Sequence, residues 1–225
     1  MYMNAKLIVM LTLNDVTADN AVEVFNECKD LPIMDWGFKN VGLNEEKRAY
    51  LAQIMKEAGK TVYIEDVLNS EEDTLEMAIF AHKNKVDNIF GRYFSSVKEY
   101  AKNNGLGYYT CSTKSSGIPV MLRGPITEIV DQLKGYVDKG VDGICIGAYR
   151  HESDPEGLIK LLTSNINKPI IIAGSINSED RMQFVNDQGC AGFTMGSALF
   201  DKKFVRDGSF RDNLIEVMNI MDKIG

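Results

Sequence analysis

The amino-acid sequence predicts a single-domain α/β protein, a (β/α)8 or TIM barrel spanning residues 1–225, on three observations. Apolar runs alternate with amphipathic runs along the whole chain, with glycine at helix-to-strand joints and Asn, Asp or Ser at strand-to-helix joints. Eight strands and eight helices can be counted, which suits a closed barrel better than an open doubly wound sheet. The last two strands are continuous apolar runs that each stop at Gly-Ser, as buried parallel strands ending in tight turns do.

Strand one is read over Lys6–Leu13 and ends at Asn14-Asp15, after which Thr17 or Asp19 caps a helix carrying Val22, Phe25 and Cys28. Strand two runs from about Ile33 to Phe38 and ends at Lys39-Asn40; its helix starts near Asn44 and closes at Gly59. Strand three, Thr61–Val67, brings Glu65 and Asp66 to its carboxyl end, and Ser70 with the acidic turn behind it opens the next helix. Strand four is Val86–Tyr93 with Arg92 near its end, followed by a short helix over Ser95–Asn103. Residues 105–117 do not fit the period and are expected to be an irregular insertion or small hairpin before strand five, which is placed at Ile118–Leu122 and ends at Arg123. Strand six, Val141–Ala148, ends at Tyr149-Arg150-His151, and Asp154-Pro155 opens the following helix. Strand seven closes at Gly174-Ser175 and strand eight at Gly196-Ser197, and a last amphipathic helix spans about Phe210–Ile224.

Composition narrows the function classes. With 44% hydrophobic residues the chain is long enough for one sizeable core. Its net charge of −7 argues against a nucleic-acid surface, which needs a basic face. Neither a leader nor an apolar run of spanning length is evident, so no membrane association and a cytoplasmic location are expected. The four cysteines are widely spaced and the chain has only two histidines, so neither a metal nor a cofactor is expected. No G-x-G-x-x-G follows strand one, and neither a P-loop nor a G-x-S-x-G elbow occurs.

In a barrel the strand carboxyl ends converge on one mouth. Ionisable groups there are costly unless paired or used, so the candidate set is Asn14, Asp15, Lys39, Glu65, Asp66, Arg92, Arg123, Tyr149, Arg150 and His151. Lys39 and Glu65 end adjacent strands and form the expected catalytic core, with Asp66 as the alternative if the strand register slips by one. Burial is expected to lower the Lys39 pKa. Arg92 and Arg123 suit a second anionic group, and Tyr149 can donate to a carbonyl or hydroxyl oxygen.

The turns at Gly174-Ser175 and Gly196-Ser197 are expected to hold a substrate phosphate, aided by N–H groups of the helices starting near Ser178 and after Ser197. Ala173-Gly-Ser-Ile with Ser178-Glu-Asp, and Met195-Gly-Ser-Ala-Leu-Phe, make the last third resemble the ribulose-phosphate-binding barrels. Within them it is most similar to the imidazole-carboxamide ribotide isomerase and N-acetylmannosamine-6-phosphate epimerase branches. The resemblance implies phosphate contacts at Gly174, Ser175, Gly196 and Ser197. It does not carry a reaction across. The isomerases use aspartates on strands one and five, where this chain has Asp15 and Arg123; the epimerases place a lysine on strand three, where it has Glu65. The decarboxylase pattern Asp-x-Lys-x-x-Asp is missing from strand three.

The leading expectation is an enzyme that isomerises or epimerises a small phosphorylated metabolite by proton transfer. A lyase or aldolase using Lys39 as a Schiff-base amine, and a phosphate-metabolite sensor without catalysis, are the alternatives. The expected partner is the phosphorylated substrate, and assembly into a homo-oligomer stays open.

Overall fold

The computed structural model describes residues 5–68, 70–116 and 121–224. Eight parallel strands close into a barrel: β1 (Lys6–Met10), β2 (Asp35–Lys39), β3 (Thr61–Glu65), β4 (Asn88–Gly91), β5 (Gly107–Thr110), β6 (Gly143–Ile146), β7 (Ile170–Ile172) and β8 (Gly192–Met195). Each strand pairs with its sequence neighbours, and β1 with β8 closes the ring. Around it lie α1 (Ala21–Cys28), α2 (Glu45–Glu57), α3 (Glu71–Lys83), α4 (Ser95–Asn103), α5 (Ile126–Asp138), α6 (Pro155–Asn165), α7 (Glu179–Asp187), a one-turn α8 (Ser197–Phe200) and α9 (Phe210–Ile224).

Strand alternation splits the buried side chains into two cores. Outward residues such as Val9, Trp36, Phe38 and Ile64 meet the helices; Trp36 of β2 packs edge-on against Phe25 of α1, ring centres 5.1 Å apart. Inward residues Ile8, Met10, Tyr63, Phe90, Cys145 and Ile171 fill the barrel. Its amino-terminal end is closed by a polar plug in which Asp35 accepts from Lys6 Nζ at 2.8 Å and from Tyr63 Oη at 2.7 Å. This packed floor leaves the carboxyl-terminal mouth as the open end. No described helix is long and apolar enough to cross a membrane.

Three placements differ from the sequence reading. Strand one stops at Met10, and the chain then forms a small antiparallel hairpin, Thr12–Leu13 with Val16–Thr17. Asn14 and Asp15 form its two-residue turn at φ 51° and 63°, the left-handed pair that matches strand twist and that Asn and Asp tolerate. The fifth barrel strand is Gly107–Thr110, not Ile118–Leu122; residues 117–120 lie outside the described residues, and Met121–Leu122 pairs antiparallel with Ser115–Ser116. Gly105 at φ 69° ends α4 just as Gly59, Gly140 and Gly189 at φ 72°, 86° and 71° end α2, α5 and α7, so the strand must follow it directly. Finally, β6 ends at Ile146 and Ala148–Arg150 form a single 3-10 turn, which redirects Tyr149, Arg150 and His151.

Candidate active site

A cavity of about 650 Å3 opens at the mouth and is walled by residues from the ends of all eight strands. Lys39 and Glu65 are register partners on β2 and β3, and both alternate with inward residues, Gly37 and Tyr63. Lys39 is only 6% exposed, and its Nζ lies 3.5 Å from Glu65 Oε2. The small hairpin between β1 and β2, Thr12–Leu13 with Val16–Thr17, adds a second carboxylate. Thr17 Oγ1 accepts from Lys39 N and donates to Lys39 O, both at 2.9 Å, which fastens the hairpin to β2 and sets Asp15 over the lysine. Lys39 Nζ then donates to Asp15 Oδ1 at 3.0 Å. Arg150 completes the row, its guanidinium nitrogens 3.5 Å from the two Asp15 oxygens. Charges thus alternate across the mouth: Arg150, Asp15, Lys39, Glu65.

This alternation sets the protonation states. Burial pushes the Lys39 ammonium down, but Glu65 and Asp15 outweigh it and raise the pKa above its ordinary value. The expected lowering of Lys39 is therefore corrected: two carboxylates, not one, face it. Burial likewise pushes Asp15 up, and Lys39 with Arg150 outweighs it and holds the carboxyl below its ordinary value.

The register makes Glu65, not Asp66, the cross-strand partner of Lys39. Asp66 also lines the cavity, but its carboxylate is occupied: Oδ1 accepts from Asn40 Nδ2 at 2.7 Å and Leu68 N at 3.0 Å, and Oδ2 from Thr74 Oγ1 at 2.7 Å. It braces the loop behind Glu65. Arg92 stands on the cavity wall, with its Nε buried and unpaired among the described residues. Asn14 stays at the hairpin tip, outside the cavity wall.

Three further candidates lie outside the cavity. Arg123 follows Met121–Leu122, which pairs antiparallel with Ser115–Ser116 instead of joining the barrel; its side chain is 58% exposed and pairs with Glu152 at 3.3 Å. Tyr149 lies under the Arg181 guanidinium, 4.5 Å from the ring centre. Its hydroxyl is buried without a partner among the described residues, and burial above all pushes it up to about 12. His151 is a joint: Nδ1 accepts from Asp154 N at 3.0 Å, so the ring proton sits on Nε2, 2.9 Å from Gly124 O.

On the far side of the mouth stand the paired turns. Gly174 and Ser175 both take positive φ, 65° and 57°, and Gly174 N donates to Thr194 Oγ1 of β8 at 3.0 Å. Ser197 and Ala198, in the first turn of α8, line the cavity, and their N–H groups have no intrahelical acceptor. The helix near Ser178 does not contribute as expected. Ser178 caps α7 itself, accepting from Arg181 N at 3.4 Å, and the cavity wall ends at Asn177. Gly196 has a second reason to be glycine: a Cβ there would lie 2.8 Å from Met10 O and 2.9 Å from Thr12 O.

Sequence reasoning missed several wall residues. Thr194 and Lys203 are among them, as are the inward cysteines Cys111 and Cys145. Cys111 follows β5, so placing that strand too late hid it. Burial, reinforced by Glu65, pushes its thiol up to about 12. Among the described residues no group of three or more His, Cys, Asp or Glu side chains is arranged to hold a metal ion.

No protein-family model matches the chain, and no curated protein matches it. Solved structures do. A highly porous, cube-shaped protein cage designed by fusing symmetric oligomeric domains aligns over 98% of this chain and 73% of its own, with a TM-score of 0.71 and 14% identity. Tryptophan synthase from Pyrococcus furiosus, solved as the a2b2 complex, gives a TM-score of 0.68 at 11% identity over 99% of this chain and 98% of the matched one. A mutant alpha-subunit of that enzyme gives 0.71 at 11% over 97% and 100%. At these identities the likeness establishes the closed eight-stranded barrel.

Proposed function

We propose that this barrel is an enzyme that isomerises or epimerises a small phosphorylated metabolite by moving a proton next to a carbonyl. The observation that carries this reading is the Lys39–Glu65 pair, 3.5 Å apart, in the cavity that the Gly174-Ser175 and Gly196-Ser197 turns also line. In this reading the turns hold the phosphate through backbone N–H groups, and Glu65 abstracts the proton. The Lys39 ammonium stabilises the developing enolate oxygen, and Asp15 holds that ammonium in place. The raised Lys39 pKa favours this role over Schiff-base chemistry, which needs the neutral amine.

The test is incubation with a panel of aldose, ketose and amino-sugar phosphates in deuterated water. Proton NMR should find deuterium at the carbon next to the carbonyl of one of them, and Glu65→Gln should abolish the exchange. Turnover trapped by borohydride as a covalent adduct on Lys39 would replace proton transfer with a lyase mechanism.

A further inference from the structure

We propose that Asp15 occupies, in the ligand-free barrel, the place on Arg150 that the anionic group of the substrate takes, so that binding is an exchange of one anion for another. This rests on the phosphate reading of the mouth. Arg150 belongs to the phosphate turn by position: its Nη2 lies 3.3 Å from where a Cβ on Gly174 would stand, so the guanidinium rests against the bare glycine. Gly174, Ser175, Ser197 and Arg150 line the same cavity.

The Arg150–Asp15 contact has the two-pronged form of a strong guanidinium–carboxylate pair, but it is stretched. Both separations are 3.5 Å, against about 2.7–2.9 Å for a closed charge-assisted pair. Asp15 is held from its other side, by Lys39 at 3.0 Å, and sits 45% exposed on a hairpin tip. The charges also balance after exchange. When the phosphate takes Arg150, Asp15 keeps Lys39, and Lys39 keeps Glu65 at 3.5 Å, so no buried cation or carboxylate is left alone. No covalent bond changes. Asp15 therefore acts against binding of a bare anion, and the remainder of the substrate must contribute the difference.

The experiment is calorimetric titration of the full chain with inorganic phosphate at fixed ionic strength, comparing wild type, Asp15→Asn, Arg150→Met and the double variant. Asparagine accepts the positive φ of position 15, so the hairpin is kept. Asp15→Asn should tighten phosphate roughly fivefold or more, the low end of measured coupling between sites. Arg150→Met should weaken it, and Asp15→Asn added to Arg150→Met should give no gain. An unchanged or weaker affinity in Asp15→Asn overturns the exchange while leaving the phosphate reading intact. The same gain in both backgrounds overturns it too, since Asp15 would then act only through the general field. Phosphate binding to none of the four proteins overturns both readings. Where Arg150→Met fails to fold, Arg150→Lys, which keeps the charge and loses the fork, should reduce the gain from Asp15→Asn.

Discussion

Lys39 sits between two carboxylates, and that arrangement separates the kinetic from the structural effects of substitution. Glu65 is partly exposed, so Glu65→Gln should fold normally and lower kcat by ~10²-fold or more on the substrate found in the panel, the usual scale for a proton-transfer group. Lys39→Met should lower kcat as much but also lower the melting temperature, because it leaves Asp15 and Glu65 facing each other without the cation. The raised Lys39 pKa has a sign that melting can read. A folded-state value above the ordinary 10.5 means that the pairing stabilises the protein fully below 10.5 and is lost as pH rises through the higher folded value. Glu65→Gln removes one source of that rise, so thermal melts from about pH 9 to about pH 12 should show a smaller alkaline loss, complete at lower pH, than in wild type. Lys39 and Glu65 were legible in the sequence because both follow apolar strands whose period places them inward. Tyr149 and His151 were not, because a 3-10 turn after β6 breaks the strand period just before them.

At the scale of elements, the strand that sequence reading misplaced is the one that least resembles the others. Gly107-Tyr-Tyr-Thr has no run of Val, Ile or Leu, whereas Ile-Pro-Val-Met-Leu at 118–122 looks like a buried strand. The signal that identifies β5 is Gly105, in the same left-handed helix-ending conformation as Gly59, Gly140 and Gly189. Arg123 was drawn into the site by that shift. Close approach of elements, invisible in sequence, also changes how phosphate binding at the glycine turns should be tested. A side chain at Gly196 meets the carbonyls of Met10 and Thr12 before it reaches any ligand. Gly196→Ala should therefore cost ~1–3 kcal/mol of stability, read as a melting temperature lower by several degrees, with or without phosphate. Substitution there cannot isolate phosphate binding. Between elements, Phe25→Ala removes the ring that packs on Trp36 at the α1–β2 contact and should cost ~3–5 kcal/mol in denaturant unfolding.

For the whole molecule, the barrel was legible because alternation of apolar and amphipathic runs, repeated eight times, admits few other architectures. The placement of the two glycine turns follows from that architecture, since β7 and β8 are neighbours in the ring and their carboxyl ends share one mouth. The charge row from Arg150 to Glu65 depends on contacts across 135 residues of sequence and on a hairpin that the strand period does not reveal. The central claim is that this mouth binds phosphate at the turns beside the Lys39–Glu65 pair. Its most direct test is a titration of uniformly labelled protein with inorganic phosphate, followed by amide chemical shifts. The account predicts that the amides of Gly174, Ser175, Ser197 and Ala198 move together along one saturable curve; saturable shifts confined to another surface, with these four amides unmoved, would contradict it.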